Sequence, residues 1–150
     1  MNTLYVPKKG DILWLNFPRS EQMGSEIIGY RPALVLTFSL FNKSSLAMIC
    51  PITTNLRIDL PKNARVEVNA KITDPAAQKR LFMFENGEKR THITGCLIPE
   101  QVTTVDWVAR SPDRVPLVCS TIESNALTRV LEIVKAILST PEIDASNYIL

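Results

Sequence analysis

Apolar and polar positions alternate cleanly near the start of the chain. Over residues 12–17 one set of positions is Ile12, Trp14 and Asn16, and the other is Leu13, Leu15 and Phe17, so the run reads as a strand. Pro7, Lys8, Lys9 and Gly10 form a turn ahead of it. Residues 33–38 are an almost continuous apolar strand, residues 42–45 a turn, and Leu46–Thr53 the next strand. The polar stretch between the first two strands, residues 18–29, runs to about a dozen residues, long enough for a loop that carries function. Residues 64–68 alternate like a strand with one wet face. Asp74-Pro75 predicts the start of a short helix through about Arg80. Residues 81–93 read as a hairpin around Asn86-Gly87, residues 96–102 as a strand and residues 115–120 as another. Leu127, Val130, Leu131, Val134, Ile137 and Leu138 then recur at helical spacing, with Ser124 as N-cap and Pro141 closing the segment. Strands followed by one amphipathic helix predict an α+β domain built on a small, strongly curved sheet or partly open barrel. Residues 141–150 are left as a tail, either loose or docked on a partner.

Composition narrows the class. The chain has 150 residues, 45% of them hydrophobic and 21% charged, which fits one domain with its own core. A net charge of +2 permits an anionic partner, but proteins that bind long duplexes are usually more basic. A short RNA needs only a local patch. Cys50, Cys96 and Cys119 are odd in number and form no C-x-x-C pair, so they read as reduced thiols packed as small apolar groups. With His92 the only histidine, a conventional zinc site is not expected, and no cofactor is implied. The opening MNTLYVPKKGD has no hydrophobic signal region, and no apolar run reaches the roughly 18 residues of a membrane span. The expectation is a cytoplasmic protein with no membrane partner.

Two segments carry the candidate chemistry, GYRPALVL at residues 29–36 and PITT at residues 51–54. If their strands pair, the guanidinium of Arg31 and the hydroxyls of Thr53 and Thr54 meet at one end of a sheet, a combination that suits a phosphate. Taken alone, an arginine ahead of a buried strand is most often a solvated edge residue, and threonines there are ordinary strand ends. Trp14 and Trp107 fit the core better than stacking platforms, and His92 reads as a surface strand residue. Lys79, Arg80, Lys89 and Arg90 read as a solvated hairpin rather than an RNA-backbone patch.

The order of several short motifs resembles the MazF/PemK family of toxins (mRNA interferases) from bacterial type II toxin–antitoxin systems. The motifs are GDILWLNF at residues 10–17, GYRPALVL at 29–36, Phe41-Asn42, CPITT at 50–54 and GCLIPEQVTTVDWVAR at 95–110, and the C-terminal helix falls in the expected place. The resemblance implies a toxin domain over residues 1–140, with an insertion at about 70–90 relative to shorter members. It implies an SH3-like, PemK/CcdB-like curved antiparallel β-barrel with a C-terminal amphipathic helix, assembled as a homodimer. It further implies cleavage of single-stranded RNA at short sequences without a metal, inhibition by a cognate antitoxin protein, and contact with operator DNA only through that antitoxin.

Metal-free RNA cleavage uses the ribose 2′-OH as nucleophile and leaves a 2′,3′-cyclic phosphate and a 5′-OH. Arg31 matches the family arginine at the scissile phosphate, where its planar fork can hold two oxygens. Thr53 matches a family threonine beside that phosphate, with Thr54 as its weaker neighbour. Glu26 and Glu100 match acidic positions of the family, and either carboxylate can act as base. Gln101 suits the reading of a base edge, and Phe17, Tyr30 and Trp14 suit stacking. Ser25, Ile27 and Ile98 stand where various members carry histidine, glutamine and arginine. The same fold without these groups also suits an inhibitory binding module, as in gyrase-poisoning toxins, or an RNA-binding relative that leaves its ligand whole.

Overall fold

The computed structural model describes residues 5–18, 29–84, 87 and 89–142. Seven strands form one antiparallel sheet: β1 (Asp11–Phe17), β2 (Gly29–Val35), β3 (Leu46–Thr53), β4 (Glu67–Lys71), β5 (His92–Leu97), β6 (Thr103–Asp106) and β7 (Val118–Thr121). Among the described residues four α-helices punctuate it: α1 (Ser39–Asn42), α2 (Pro75–Phe84), α3 (Trp107–Arg110) and α4 (Ser124–Ser139). The strand order is β4-β5-β3-β2-β1-β7, and the sheet does not close into a barrel, because β4 and β7 stay at its two ends. β5 and β6 share one edge of β3 end to end: Ile52 and Thr53 face Leu97 and Cys96, while residues 46–49 face residues 103–106. A 3-10 turn, Pro99–Gln101, fills the corner between them.

The alternation on β1 sends side chains into two cores. Ile12 and Trp14 join the larger one with Leu34, Ile52, Leu97, Ala77, Leu81, Val130 and Val134. Leu13 and Leu15 join the smaller one with Ala33, Val35, Ala47, Ile49, Val105 and Trp107 on the other face. Each such fully buried branched side chain stabilises by about 1.5–3 kcal/mol. Pro32 has no N–H to give to the ladder, and Trp14 opposite it donates its own N–H to Leu117 O at 3.0 Å on the β7 side. Asn42 is fully buried; its side-chain amide donates to Pro7 O and Thr37 O, both at 2.8 Å, and its Oδ1 accepts from the Thr37 hydroxyl at 2.6 Å.

Several expectations need correction. The hairpin over residues 81–93 is not there: α2 runs on to Phe84, and only β5 follows. Ala77 and Leu81, one helical turn apart, are both buried in the larger core, and Gly87 at φ +86 donates its N–H to Phe82 O at 2.9 Å. A left-handed glycine that ends a helix has the same sequence signature as one that turns a hairpin. The strand over residues 96–102 stops at Leu97, since Pro99 opens the 3-10 turn. The strand expected over residues 64–68 begins at Glu67, after a 3-10 turn at Lys62–Ala64. Asn42 ends a short helix rather than starting a turn. Glu123, not Ser124, is the N-cap of α4, and it makes no side-chain cap bond.

The basic cluster is not a solvated hairpin either. Arg80 donates to the carbonyls of Pro112, Val115 and Pro116 at 3.0–3.2 Å, and the Arg90 guanidinium lies 5.4 Å from the centre of the Trp14 ring. Both tryptophans are buried, and His92 heads β5 exposed. Among the described residues no helix is long and apolar enough to cross a membrane.

Candidate functional site

The site grows from one end of the β1–β2–β3 layer. Leu15 faces Arg31 across β1 and β2, and Thr53 faces Cys96 across β3 and β5. The β2–β3 ladder pairs Val35 with Ile49, Leu34 with Cys50 and Ala33 with Pro51. The ladder ends there, and Arg31 and Thr53 each lie two residues beyond its last pair, at the same end of β2 and β3. Side chains alternate along each strand, so Arg31 and Thr53 fall on the same face as Ala33 and Ile49, at the open end of the smaller core. Arg31 is exposed, and among the described residues it makes no hydrogen bond or ion pair, which leaves its fork for a ligand.

Thr53 is half-buried, and its hydroxyl oxygen accepts the Asn55 N–H at 3.1 Å. That bond fixes the oxygen and leaves the hydroxyl proton to donate. Thr54 follows, exposed, at the strand end. Phe17 lies on the Arg31 face, partly buried against the smaller core. Tyr30 points to the opposite face and packs against the larger core, so the sheet separates it from Arg31. Glu26 lies outside the described residues.

Glu100 and Gln101 sit on the corner turn, reached by β5 alongside β3. Ile98, at the start of this corner, donates its N–H to Pro51 O at 3.0 Å and buries its side chain. The Glu100 carboxylate pairs through Oε1 with Nη2 of Arg57, and Arg57 Nη1 donates to Leu97 O at 3.2 Å. Arg57 was not among the residues singled out from the sequence. The Arg57–Leu97 bond crosses forty residues of chain, and a single arginine in a polar loop gives no local sign of it. Beneath the site, burial pushes the Cys50 thiol up to about 12, with the nearby Glu100 carboxylate adding to the rise against the Ile98 N–H and Arg57. Burial likewise raises Cys96. All three cysteines are buried thiols, as expected for small groups packed in the core.

Arg31 and Thr53 thus present a guanidinium and a hydroxyl at one sheet end, and Glu100 adds a carboxylate on the corner turn beside β3. The arrangement suits a phosphodiester: a cation for its charge, a donor for a non-bridging oxygen and a proton acceptor to one side. Fold and motif order together define the class. The chain belongs to the family of PemK-like, MazF-like toxins of type II toxin–antitoxin systems, whose model matches residues 8–138. It is 30% identical over 114 residues to the endoribonuclease toxin MazF of Escherichia coli strain K12, covering 73% of this chain and 78% of that one. The fold matches a crystal structure of MazF from Deinococcus radiodurans with a TM-score of 0.64 at 23% identity, over 91% of this chain and 99% of the other. A MazE-MazF crystal structure from the same organism matches with a TM-score of 0.58 at 22% identity, again over 91% of this chain and 99% of the other.

Proposed function

We propose that this toxin is a sequence-specific endoribonuclease that cleaves single-stranded RNA such as mRNA, without a metal, through the ribose 2′-OH. The observation that supports the reading is that Arg31 and Thr53 each lie two residues beyond the last β2–β3 pair, at the same end of the sheet. The fork of Arg31 holds two phosphate oxygens and stabilises the charge added at phosphorus. The Thr53 hydroxyl, its oxygen already fixed by Asn55, donates to one of the same two non-bridging oxygens. The 2′-OH gives its proton to a carboxylate, its oxygen attacks phosphorus, the P–O5′ bond breaks, and the 5′-oxygen takes a proton from water. The products are a 2′,3′-cyclic phosphate and a 5′-OH. Glu100 and Glu26 are the two carboxylates for the base role; Glu100 is half-exposed and keeps Oε2 beside the oxygen that pairs with Arg57. Gln101 on the same turn, with Phe17 and Thr54 nearby, supplies groups for base contacts.

The reading includes a homodimer in the cytoplasm, held inactive by a cognate antitoxin, with operator DNA reached only through that antitoxin. The MazE-MazF complexes among the structural matches support the antitoxin partner. A second reading is an inhibitory binding module acting by protein contact. It is favoured by Ile98, a buried apolar side chain where various family members carry arginine.

Purified protein incubated with a long RNA in EDTA separates the two. Cleavage at defined sites, reduced by about 10²–10³ in Arg31→Ala, supports the nuclease. RNA left intact together with growth arrest and capture of a defined protein target supports the binding module.

A further inference from the structure

The loop after Thr53 has a built-in connection to the corner turn that the proposed chemistry does not use. Thr53 Oγ1 accepts from Asn55 N at 3.1 Å, and Asn55 Oδ1 accepts from Arg57 N at 2.9 Å. Arg57 then reaches away from its own loop with both arms of its fork, one to Leu97 O at 3.2 Å and one to the Glu100 carboxylate. The Cys96 thiol donates to Leu56 O at 3.3 Å, seating the same loop on β5. Arg57 has φ +53, a left-handed conformation that a non-glycine residue keeps only where its surroundings hold it. Its side chain is 19% exposed against 50% for Glu100, so the cation is enclosed while the carboxylate still faces solvent.

We infer that Arg57 is a positioning residue: it braces the Thr53 loop against the corner turn, so that Thr53, Glu100 and Gln101 move as one unit. The inference rests on the nuclease reading for its effect on rate. Both arms of Arg57 are taken by protein groups, which sets it apart from Arg31, whose fork is open. Glu100 gains a fixed orientation through Oε1 while its side chain stays half-exposed. Gln101 gains its place through the same turn, one residue on. A lysine can supply the charge but cannot reach a carbonyl and a carboxylate with two fixed donors.

The test uses the full chain as Arg57→Ala and Arg57→Lys, with two readouts. On RNA, Arg57→Ala is expected to lower kcat by about 10²-fold with KM little changed, as misplacement of reacting groups does, and Arg57→Lys to recover part of the loss. Without RNA, hydrogen exchange at the Asn55 and Gln101 amides is expected to speed up together in Arg57→Ala. An unchanged kcat, or a loss confined to KM, overturns the positioning role and makes Arg57 either inert or an RNA contact. If the unmodified protein leaves RNA whole, the nuclease reading falls and exchange alone decides. Joint acceleration at both amides then supports the brace, and an unaffected Gln101 overturns it.

Discussion

Gly95 of β5 lies directly against the backbone of Thr53: a Cβ at residue 95 would collide with the Thr53 carbonyl oxygen and sit 2.9 Å from its carbonyl carbon. Gly95 also has φ +145, a backbone conformation that L side chains rarely adopt. The close approach lets β5 seat Thr53 at the site, so a single added methyl pushes the two strands apart. Gly95→Ala is expected to destabilise the fold by about 2–4 kcal/mol, read from denaturant midpoints. In the fraction that stays folded, RNA cleavage falls by about 10²-fold, because Thr53 is displaced from the phosphate.

Asn42 provides a contrast, a stability residue remote from the chemistry. Its side chain satisfies two buried carbonyls and a hydroxyl, joining the N-terminal segment to the exit of β2. Asn42→Ala leaves these groups unpaired and is expected to cost about 2–4 kcal/mol. Below the lowered unfolding temperature, its cleavage rate per folded molecule stays at the unmodified value. Thermal unfolding and single-turnover kinetics on one preparation check both halves.

The buried thiol under the site makes stability depend on pH. Cys50 titrates near 12 in the fold against an ordinary 9.0, mainly through burial. The unfolded chain therefore loses this proton first. The contribution is fully present below about pH 9 and is lost as pH climbs toward 12. The unmodified protein should lose stability more steeply than Cys50→Ala across that window, measured as denaturant midpoints. Tyr5, raised to about 12 by partial burial and its bond to Asp11, falls in the same window in both proteins and cancels in the comparison. At pH 8, thiol reagents should modify all three cysteines only on unfolding, since all are buried.

Legibility followed the range of each interaction. The strand over Leu46–Thr53 and the helix from Leu127 to Leu138 were visible because period and burial coincide there. The pairing of β2 with β3 was legible because the two strands are neighbours in sequence. The Asn86-Gly87 signal misled, since a left-handed glycine closes helices as well as hairpins. Gly95 reads in sequence as a lone strand glycine, and its meaning lies in a contact with Thr53 forty-two residues earlier. Arg57 was illegible for the same reason: its partners Leu97 and Glu100 arrive only when β5 joins β3. Tyr30 is expected from the sequence to stack on a base, and strand alternation sends it to the face opposite Arg31.

The central claim is that Arg31 and Thr53 hold an RNA phosphate for attack by the neighbouring 2′-OH. The most direct measurement takes an oligonucleotide spanning a mapped cleavage site, with and without a single 2′-deoxy substitution at the nucleotide 5′ of the scissile phosphate. The account predicts that, in EDTA, the all-ribose strand is cut to a 2′,3′-cyclic phosphate and a 5′-OH, while the 2′-deoxy strand binds equally well and stays whole. Cutting of the 2′-deoxy strand at an undiminished rate contradicts it.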